Sequence, residues 1–145
     1  MNRWYVRHSD RVFVDSSAYF GLANLHDSTH EDAQAIIARI ASERRRLFTS
    51  NFVIAETHAL FLARLGRALA ARFLEEIDRS TTTIVRISLK DERRAREIIA
   101  QYGDKDFSFT DATSFSVMER LGISYAFSFD HHFMQYGFVT FTASS

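Results

Sequence analysis

The sequence contains no cysteine and no proline, and glycine accounts for only 5 of its 145 residues. The lack of cysteine excludes disulfides, a thiolate zinc site and a thiol nucleophile, and it fits the reducing environment of the cytoplasm. The first residues lack the apolar segment of a signal peptide, and no apolar run approaches the roughly 20 residues that span a bilayer. We therefore expect a cytoplasmic protein that does not enter the membrane.

An excess of charge of one sign is also lacking, because 18 basic residues balance 18 acidic ones. Net charge therefore does not indicate a nucleic-acid partner. The basic residues are nevertheless unusual, since only Lys90 and Lys105 are lysine and the rest are arginine. Arginine binds phosphate or carboxylate in a planar, bidentate manner, although most arginines simply cover the surface of a protein.

The composition is that of one globular domain, with 46% hydrophobic and 14% aromatic residues. No repeat, low-complexity tract or glycine- and serine-rich linker divides the chain. We therefore expect a leader over residues 1–10 and a single domain over residues 11–145.

Short β-branched and aromatic runs alternate with helical patterns along this domain. The runs predict strands over residues 11–14, 47–50, 82–87, 124–129 and 138–141. The helical patterns predict helices over about 16–25, 28–46, 51–65, 68–78, 90–102 and 110–121. Ser28 and Glu31 have the spacing of a capping box that would begin the second helix. The alternation predicts an α/β fold in which helices flank a mostly parallel sheet of about five short strands.

Two acidic residues directly follow predicted strands. Asp15 comes after the first strand, and Asp130 comes after the fourth and precedes His131 and His132, which could contact a phosphate. Ligands of parallel α/β sheets bind outside the carboxyl ends of the strands, so both acids should lie at the same rim. Each also has a purely structural explanation, because Asp15 could cap the next helix and Asp130 could initiate a turn.

Two further acids lie on predicted helices. Glu56 interrupts an apolar stripe, with Phe52 and Leu60 as its neighbours four residues before and after. A carboxylate there needs a cation or a hydrogen-bond partner, and an arginine at the rim could serve as well as a metal. Asp111 lies in the first turn of its helix, where an acid also favours the helix dipole.

The four acids together are stronger evidence for a functional site than any one of them is alone. If the fold gathers Asp15, Glu56, Asp111 and Asp130, their charges repel and only a cation would make the gathering tolerable. Carboxylate oxygens favour the hard cations Mg²⁺ or Mn²⁺, and a phosphodiester is the natural substrate of such a site.

Four segments carry a resemblance to a known family. They are Val12–Ala18, Thr49–Thr57, Asp106–Phe115 and Ala126–Phe133. In their order and spacing the chain is similar to PIN domains, specifically the VapC-type toxin ribonucleases of bacterial toxin–antitoxin pairs, from about residue 11 to 141. The acidic constellation of that family falls on Asp15, Glu56, Asp111 and Asp130. The threonine that usually stands two residues before the last acid is Ser128 here, which keeps a hydroxyl.

The resemblance implies Mg²⁺- or Mn²⁺-dependent endonucleolytic cleavage of RNA. As a hypothesis for the mechanism, we expect Asp15 and Asp111 to be the principal ligands. Asp130 and Glu56 would share the site directly or through water, and a metal-bound water would attack the phosphorus in line. The family also implies homodimers and inhibition by a small antitoxin that inserts into the active-site groove. Transfer RNA, ribosomal RNA and messenger RNA all suit this chemistry.

Two other functions remain as alternatives. One is a catalytically inactive PIN-like module that binds RNA or protein, and retention of all four acids argues against it. The other is a receiver- or phosphatase-type protein with Asp15 as phospho-acceptor. A phosphatase of that type would have an acid where Ser17 stands, and a receiver would need a lysine late in the sheet.

Overall fold

Five short strands form one parallel sheet in the computed structural model, which describes residues 10–143. The strands are β1 (Arg11–Val14), β2 (Arg46–Ser50), β3 (Thr83–Val85), β4 (Tyr125–Phe127) and β5 (Val139–Thr140). Their spatial order is β3-β2-β1-β4-β5, and every neighbouring pair is parallel. The expected α/β fold with a five-stranded sheet is therefore confirmed. Nearly all of the expected leader lies outside the described residues.

Seven helices connect and cover the strands within residues 10–143. They are α1 (Ser16–Ala23), α2 (His30–Ser42), α3 (Asn51–Arg64), α4 (Arg67–Arg79), α5 (Leu89–Gln101), α6 (Phe109–Leu121) and α7 (His132–Tyr136). None of them is of the length and apolar character that a membrane crossing requires.

The predicted capping box at the start of α2 is wrong. The helix begins at His30, and its N-cap residue Thr29 makes no side-chain capping bond. The carboxylate of Asp27 instead accepts hydrogen bonds from the backbone N–H and the hydroxyl of Thr29, so a local turn precedes the helix. Strand β3 is also shorter than predicted, because the N–H of Ile87 donates to Asn51 Oδ1 rather than to a neighbouring strand.

The central strand β1 is buried on both sides of the sheet. Phe13 packs on one side with Phe115 and Ile98 from α6 and α5, whereas Val12 and Val14 pack on the other side with residues of α1 and α2. Side chains of a strand alternate between the two faces, so four consecutive residues serve two cores. Full burial of each large apolar side chain contributes about 1.5–3 kcal/mol. Both cores hold β1 and β4 in place, and their carboxyl ends form the rim described next.

Candidate metal centre

Asp15 follows β1 directly and is only 3% exposed. It is the N-cap of α1, and its Oδ2 accepts hydrogen bonds from the N–H of Ser17 at 3.4 Å and from the Ser17 hydroxyl at 2.9 Å. The hydroxyl of Ser128, just beyond β4, donates to the same oxygen at 3.0 Å. Asp15 can therefore both cap α1 and belong to the site, because the same carboxylate bonds the first turn of the helix and lies at the rim of the sheet.

Burial raises the pKa of Asp15 to about 6, the hydrogen bonds from Ser17 oppose this rise, and the charges of Asp111 and Glu56 add to it. Ionising a carboxyl group away from water costs free energy, and like charges nearby increase that cost. The electrostatic influence of Asp111 and Glu56 shows that the fold brings all three carboxylates into one region.

Glu56 lies on α3 and turns toward the start of α1. Its Oε1 accepts a hydrogen bond of 2.5 Å from the hydroxyl of Ser16, a buried residue in the first turn of α1. The partner of this carboxylate is thus a neutral hydroxyl rather than the arginine that the sequence left open. Its negative charge is oriented but not neutralised by this bond.

Asp111 is the third residue of α6 and closes a capping box with Ser108. The N–H of Asp111 donates to Ser108 Oγ at 3.0 Å, and the N–H of Ser108 donates to Asp111 Oδ2 at 3.1 Å. Asp111 was predicted in the first turn of its helix and as a metal ligand, but the box itself was not predicted, although the spacing of Ser108 and Asp111 is its signal. The box fixes the carboxylate at the helix start.

Asp130 follows β4 and lies close to Asp111 through an unexpected neighbour, His132. His132 Nδ1 is 2.9 Å from Asp111 Oδ2 and 3.2 Å from Asp130 Oδ1. The N–H of His132 donates to Asp130 Oδ1 at 2.9 Å, and the N–H of Asp130 donates to Ser128 Oγ at 3.0 Å. Ligand atoms of Asp111, Asp130 and His132 all lie within 4.8 Å of one another.

Of the four predicted acids, the structure brings the ligand atoms of Asp111 and Asp130 together with those of His132, whereas Asp15 and Glu56 lie outside this close group. Asp15 and Asp130 share the carboxyl rim of the sheet because β1 and β4 are neighbouring parallel strands. The N–H of Asp15 donates to Phe127 O at 3.1 Å. Sequence reasoning did not find the hydroxyls of Ser16 and Ser17. The run Asp15-Ser16-Ser17 after a strand was their only signal.

The chemistry of these donors fits a divalent cation. Carboxylate oxygens predominate, and imidazole is a secondary donor, which favours a hard ion over the cysteine- and histidine-rich sites of zinc. The buried carboxylate of Asp15 and the oriented carboxylate of Glu56 add negative charge that the surrounding hydroxyls do not cancel. A bound cation would remove the repulsion between these carboxylates.

Comparisons with known proteins agree with this architecture. The PIN domain family model matches residues 12–139. The 23S rRNA-specific endonuclease VapC20 of Mycobacterium tuberculosis is 35% identical over 133 residues, which cover 88% of this chain and 95% of VapC20. Its crystal structure, described as that of a toxin that cleaves the sarcin–ricin loop, superimposes with a TM-score of 0.82 at 33% identity and covers 88% of this chain and 96% of that one.

Two more distant structures share the fold alone. VapBC2 of Rickettsia felis, bound to a DNA fragment from its promoter, has a TM-score of 0.67 at 14% identity and covers 90% of this chain and 97% of that one. FitAcB of Neisseria gonorrhoeae has a TM-score of 0.62 at 14% identity and covers 92% of this chain and 98% of that one. By fold, family model and identity to VapC20, this chain belongs to the PIN-domain family.

Proposed function

We propose that this chain is a Mg²⁺- or Mn²⁺-dependent endoribonuclease that acts as the toxin of a toxin–antitoxin pair and cleaves ribosomal RNA. The observation that carries the proposal is the group of Asp111, Asp130 and His132, whose ligand atoms lie within 4.8 Å of one another. Beside it, burial and the charges of Asp111 and Glu56 raise the pKa of Asp15 to about 6. A protein keeps mutually repelling, partly buried carboxylates together at a cost in stability, which is a sign of a functional site.

The choice of ribosomal RNA is supported by the relative. VapC20 is a 23S rRNA-specific endonuclease, and its likeness to this chain extends over 88% of the residues. Among the three classes of RNA that suit the chemistry, this likeness favours ribosomal RNA. Within that class, a single-stranded or irregular loop is the expected target, because its bases are accessible to side chains.

Asp15 and Asp111 are the proposed principal ligands of the cation, and Asp130 and Glu56 contribute directly or through water. When bound, a divalent ion activates water as a nucleophile and neutralises charge on the phosphate. The residues of the chain supply orientation. The hydroxyls of Ser17 and Ser128 hold Asp15, and that of Ser16 holds Glu56. The carboxylates of Asp111 and Asp130 accept instead from the backbone N–H groups of Ser108 and His132. We expect products with 5′-phosphate and 3′-hydroxyl ends.

A small antitoxin and a second copy of the chain are the proposed protein partners. The hairpin of α3 and α4 exposes Leu62, Leu69 and Leu74, with half of the surface of Leu62 accessible. Apolar surface concentrated on one pair of helices is typical of protein interfaces. Light scattering of the purified chain, alone and with the product of a small neighbouring gene, tests both partners. A monomer that no such product binds would contradict both proposals.

The deciding experiment for the enzyme is RNA cleavage with Mg²⁺ and with EDTA. Wild type is expected to cut only with the metal, and Asp111→Asn is expected to lose at least about 100-fold in rate because it removes one ligand charge. Asparagine retains an oxygen that accepts from Ser108, so the variant should fold. Asp104→Asn, at an exposed loop position paired with Lys105, is the matched control and should cut like wild type.

An inactive PIN-like module is the alternative outcome of the same work. Calorimetric titration with Mg²⁺ or Mn²⁺ separates the two functions, since the module would bind no ion at millimolar concentration. Unchanged cleavage by Asp111→Asn would instead show that the predicted acids do not form the active site.

A further inference from the structure

One arginine and two phenylalanines form a stack on three helices, two of which carry Glu56 and Asp111. The guanidinium carbon of Arg96 on α5 lies over the ring of Phe109, 5.4 Å from its centroid. Phe109 in turn meets Phe52 edge-on, with ring centroids 5.9 Å apart at an interplanar angle of 61°. The three side chains come from three different helices and lie side by side.

The stack joins the helices that carry two of the four acids. Phe109 is the first residue of α6 and stands two positions before Asp111, and Phe52 on α3 stands one helical turn before Glu56. Residues four apart lie on the same face of a helix, so Phe52 extends the face that presents Glu56. The stack therefore lies on the two helices that present Asp111 and Glu56, within about one helical turn of each acid along the chain.

Arg96 differs from Arg94 on the same helix in charge pairing. Arg94 forms ion pairs with Glu97 and Glu119, whereas Arg96 is exposed and forms no ion pair with any carboxylate within residues 10–143. Its position over a ring limits the orientations of the guanidinium, and it leaves the charge available to an outside anion. A planar cation held in this way binds phosphate and also stacks on aromatic bases.

An anionic substrate needs such a cation near an anionic site. The acid cluster repels the phosphates of RNA, and a divalent ion neutralises only the part that it contacts. Unpaired bases of RNA are recognised by stacking on aromatic rings and on guanidinium planes, which duplex RNA does not permit. We propose that Arg96, supported by Phe109 and Phe52, binds an unpaired nucleotide of the RNA next to the scissile phosphate. This inference rests on the proposed function.

The test measures RNA affinity without turnover. Full-length chain carrying Asp15→Asn, which blocks cleavage, is titrated into a fluorescent 12-nucleotide single-stranded RNA of mixed sequence and into the matching duplex, and the anisotropy is recorded. Arg96→Ala is compared with Arg64→Ala. Arg64 is exposed and lies eight residues beyond Glu56 on α3, about 12 Å further along the helix, so the control removes the same charge elsewhere.

The expected result is a loss of at least about fivefold in single-strand affinity for Arg96→Ala and of less than about twofold for Arg64→Ala. Phe109→Leu keeps an apolar side chain and removes the ring, so it should weaken single-strand binding in the same direction. Arg96→Ala should then have little further effect in that background, because the two residues act as one unit. Duplex binding should change little in any of these variants.

Equal losses for Arg96→Ala and Arg64→Ala would overturn the assignment, and so would a loss that is equal for single strand and duplex. Circular dichroism melting of each variant excludes a change of folding as the cause. Failure of this inference differs from failure of the proposed function. Wild type that cuts RNA with Mg²⁺ while Arg96→Ala binds normally contradicts only the stack, whereas wild type that neither binds nor cuts RNA contradicts both.

Discussion

His132 Nδ1 lies 2.9 Å from Asp111 Oδ2, the same oxygen that accepts the N–H of Ser108 in the capping box, so an imidazole also holds one of the proposed metal ligands. The same nitrogen is 3.2 Å from Asp130 Oδ1. One histidine thus fixes the separation of two carboxylates that come from α6 and from the loop after β4. Groups that orient metal ligands in this way usually matter for affinity nearly as much as the ligands do.

Replacement of His132 by alanine is expected to weaken binding of Mn²⁺ by about tenfold, because the two carboxylates lose their common partner and their repulsion is less constrained. Calorimetric titration gives the affinity directly. His131→Ala is the matched control, since its side chain is 69% exposed and its nearest carboxylate atom is 3.8 Å away. Equal affinities for both variants would contradict the orienting role of His132.

Asp15 predicts an unusual dependence of stability on pH in the absence of metal. Its pKa rises from 3.8 to about 6 on folding, so between about pH 4 and pH 6 the folded state holds a proton that the unfolded state releases. The free energy of unfolding therefore falls as the pH rises through this window, by on the order of 3 kcal/mol in total. Urea unfolding with EDTA at pH 4.5 and 7.5 measures the change.

Asp15→Asn serves as the reference for that experiment, because it removes the titrating group while other groups titrate as before. The variant should lose less stability than wild type between the two pH values, and it should exceed wild type in stability at pH 7.5. Addition of Mg²⁺ should raise the stability of wild type far more than that of the variant. A parallel response of the two proteins to pH would rule out Asp15 as the source.

Ser128 connects the two strand-end acids, since its hydroxyl donates to Asp15 Oδ2 and accepts from the N–H of Asp130. Ser128→Ala leaves the partly buried N–H of Asp130 without this partner and should cost about 1 kcal/mol of stability. Cleavage should also slow, because Asp15 loses an orienting bond. Ser128→Thr keeps the hydroxyl and should restore the cleavage rate. Failure of threonine to rescue would show that the hydroxyl is not the functional part.

Gly21 allows the close approach of α1 and α2. A Cβ atom at this position would lie 2.8 Å from Thr29 Oγ1 and 3.2 Å from the ring of Phe129. Overpacking of this kind costs about 1–3 kcal/mol, which outweighs the gain of about 1 kcal/mol from alanine in a helix. Gly21→Ala should lower the urea midpoint, whereas Gly103→Ala, with no atom within 4 Å of the added Cβ, should not.

The sequence was sufficient for the positions of the acids that follow strands. Asp15 and Asp130 could be assigned to one rim because parallel strands present their carboxyl ends on the same side, and β1 and β4 are indeed neighbours. Glu56 was identifiable from its place on an apolar stripe. The partner of Glu56 was not, because Ser16 lies 40 residues earlier in the chain and meets it only through packing of α1 against α3.

Other parts of the site could not be predicted from the sequence. Helix α7 has five residues, too few for an apolar period, so the position of His132 between two acids could not be foreseen. The pairing of Arg96 with Phe109 depends on how α5 packs against α6, which no local rule specifies. The predicted capping box at Ser28 does not form, because a turn at Asp27 delays the start of the helix to His30, whereas Ser108 and Asp111 do form such a box.

The order of the site residues along the chain has a consequence for the cell that makes the protein. Asp15 is synthesised before the other three acids, and Asp130 is synthesised last, followed by the strand β5 that flanks β4. A ribosome that translates this chain therefore carries no complete set of the four acids until Asp130 has been added. A chain that terminates before Asp130 lacks one of the proposed metal ligands.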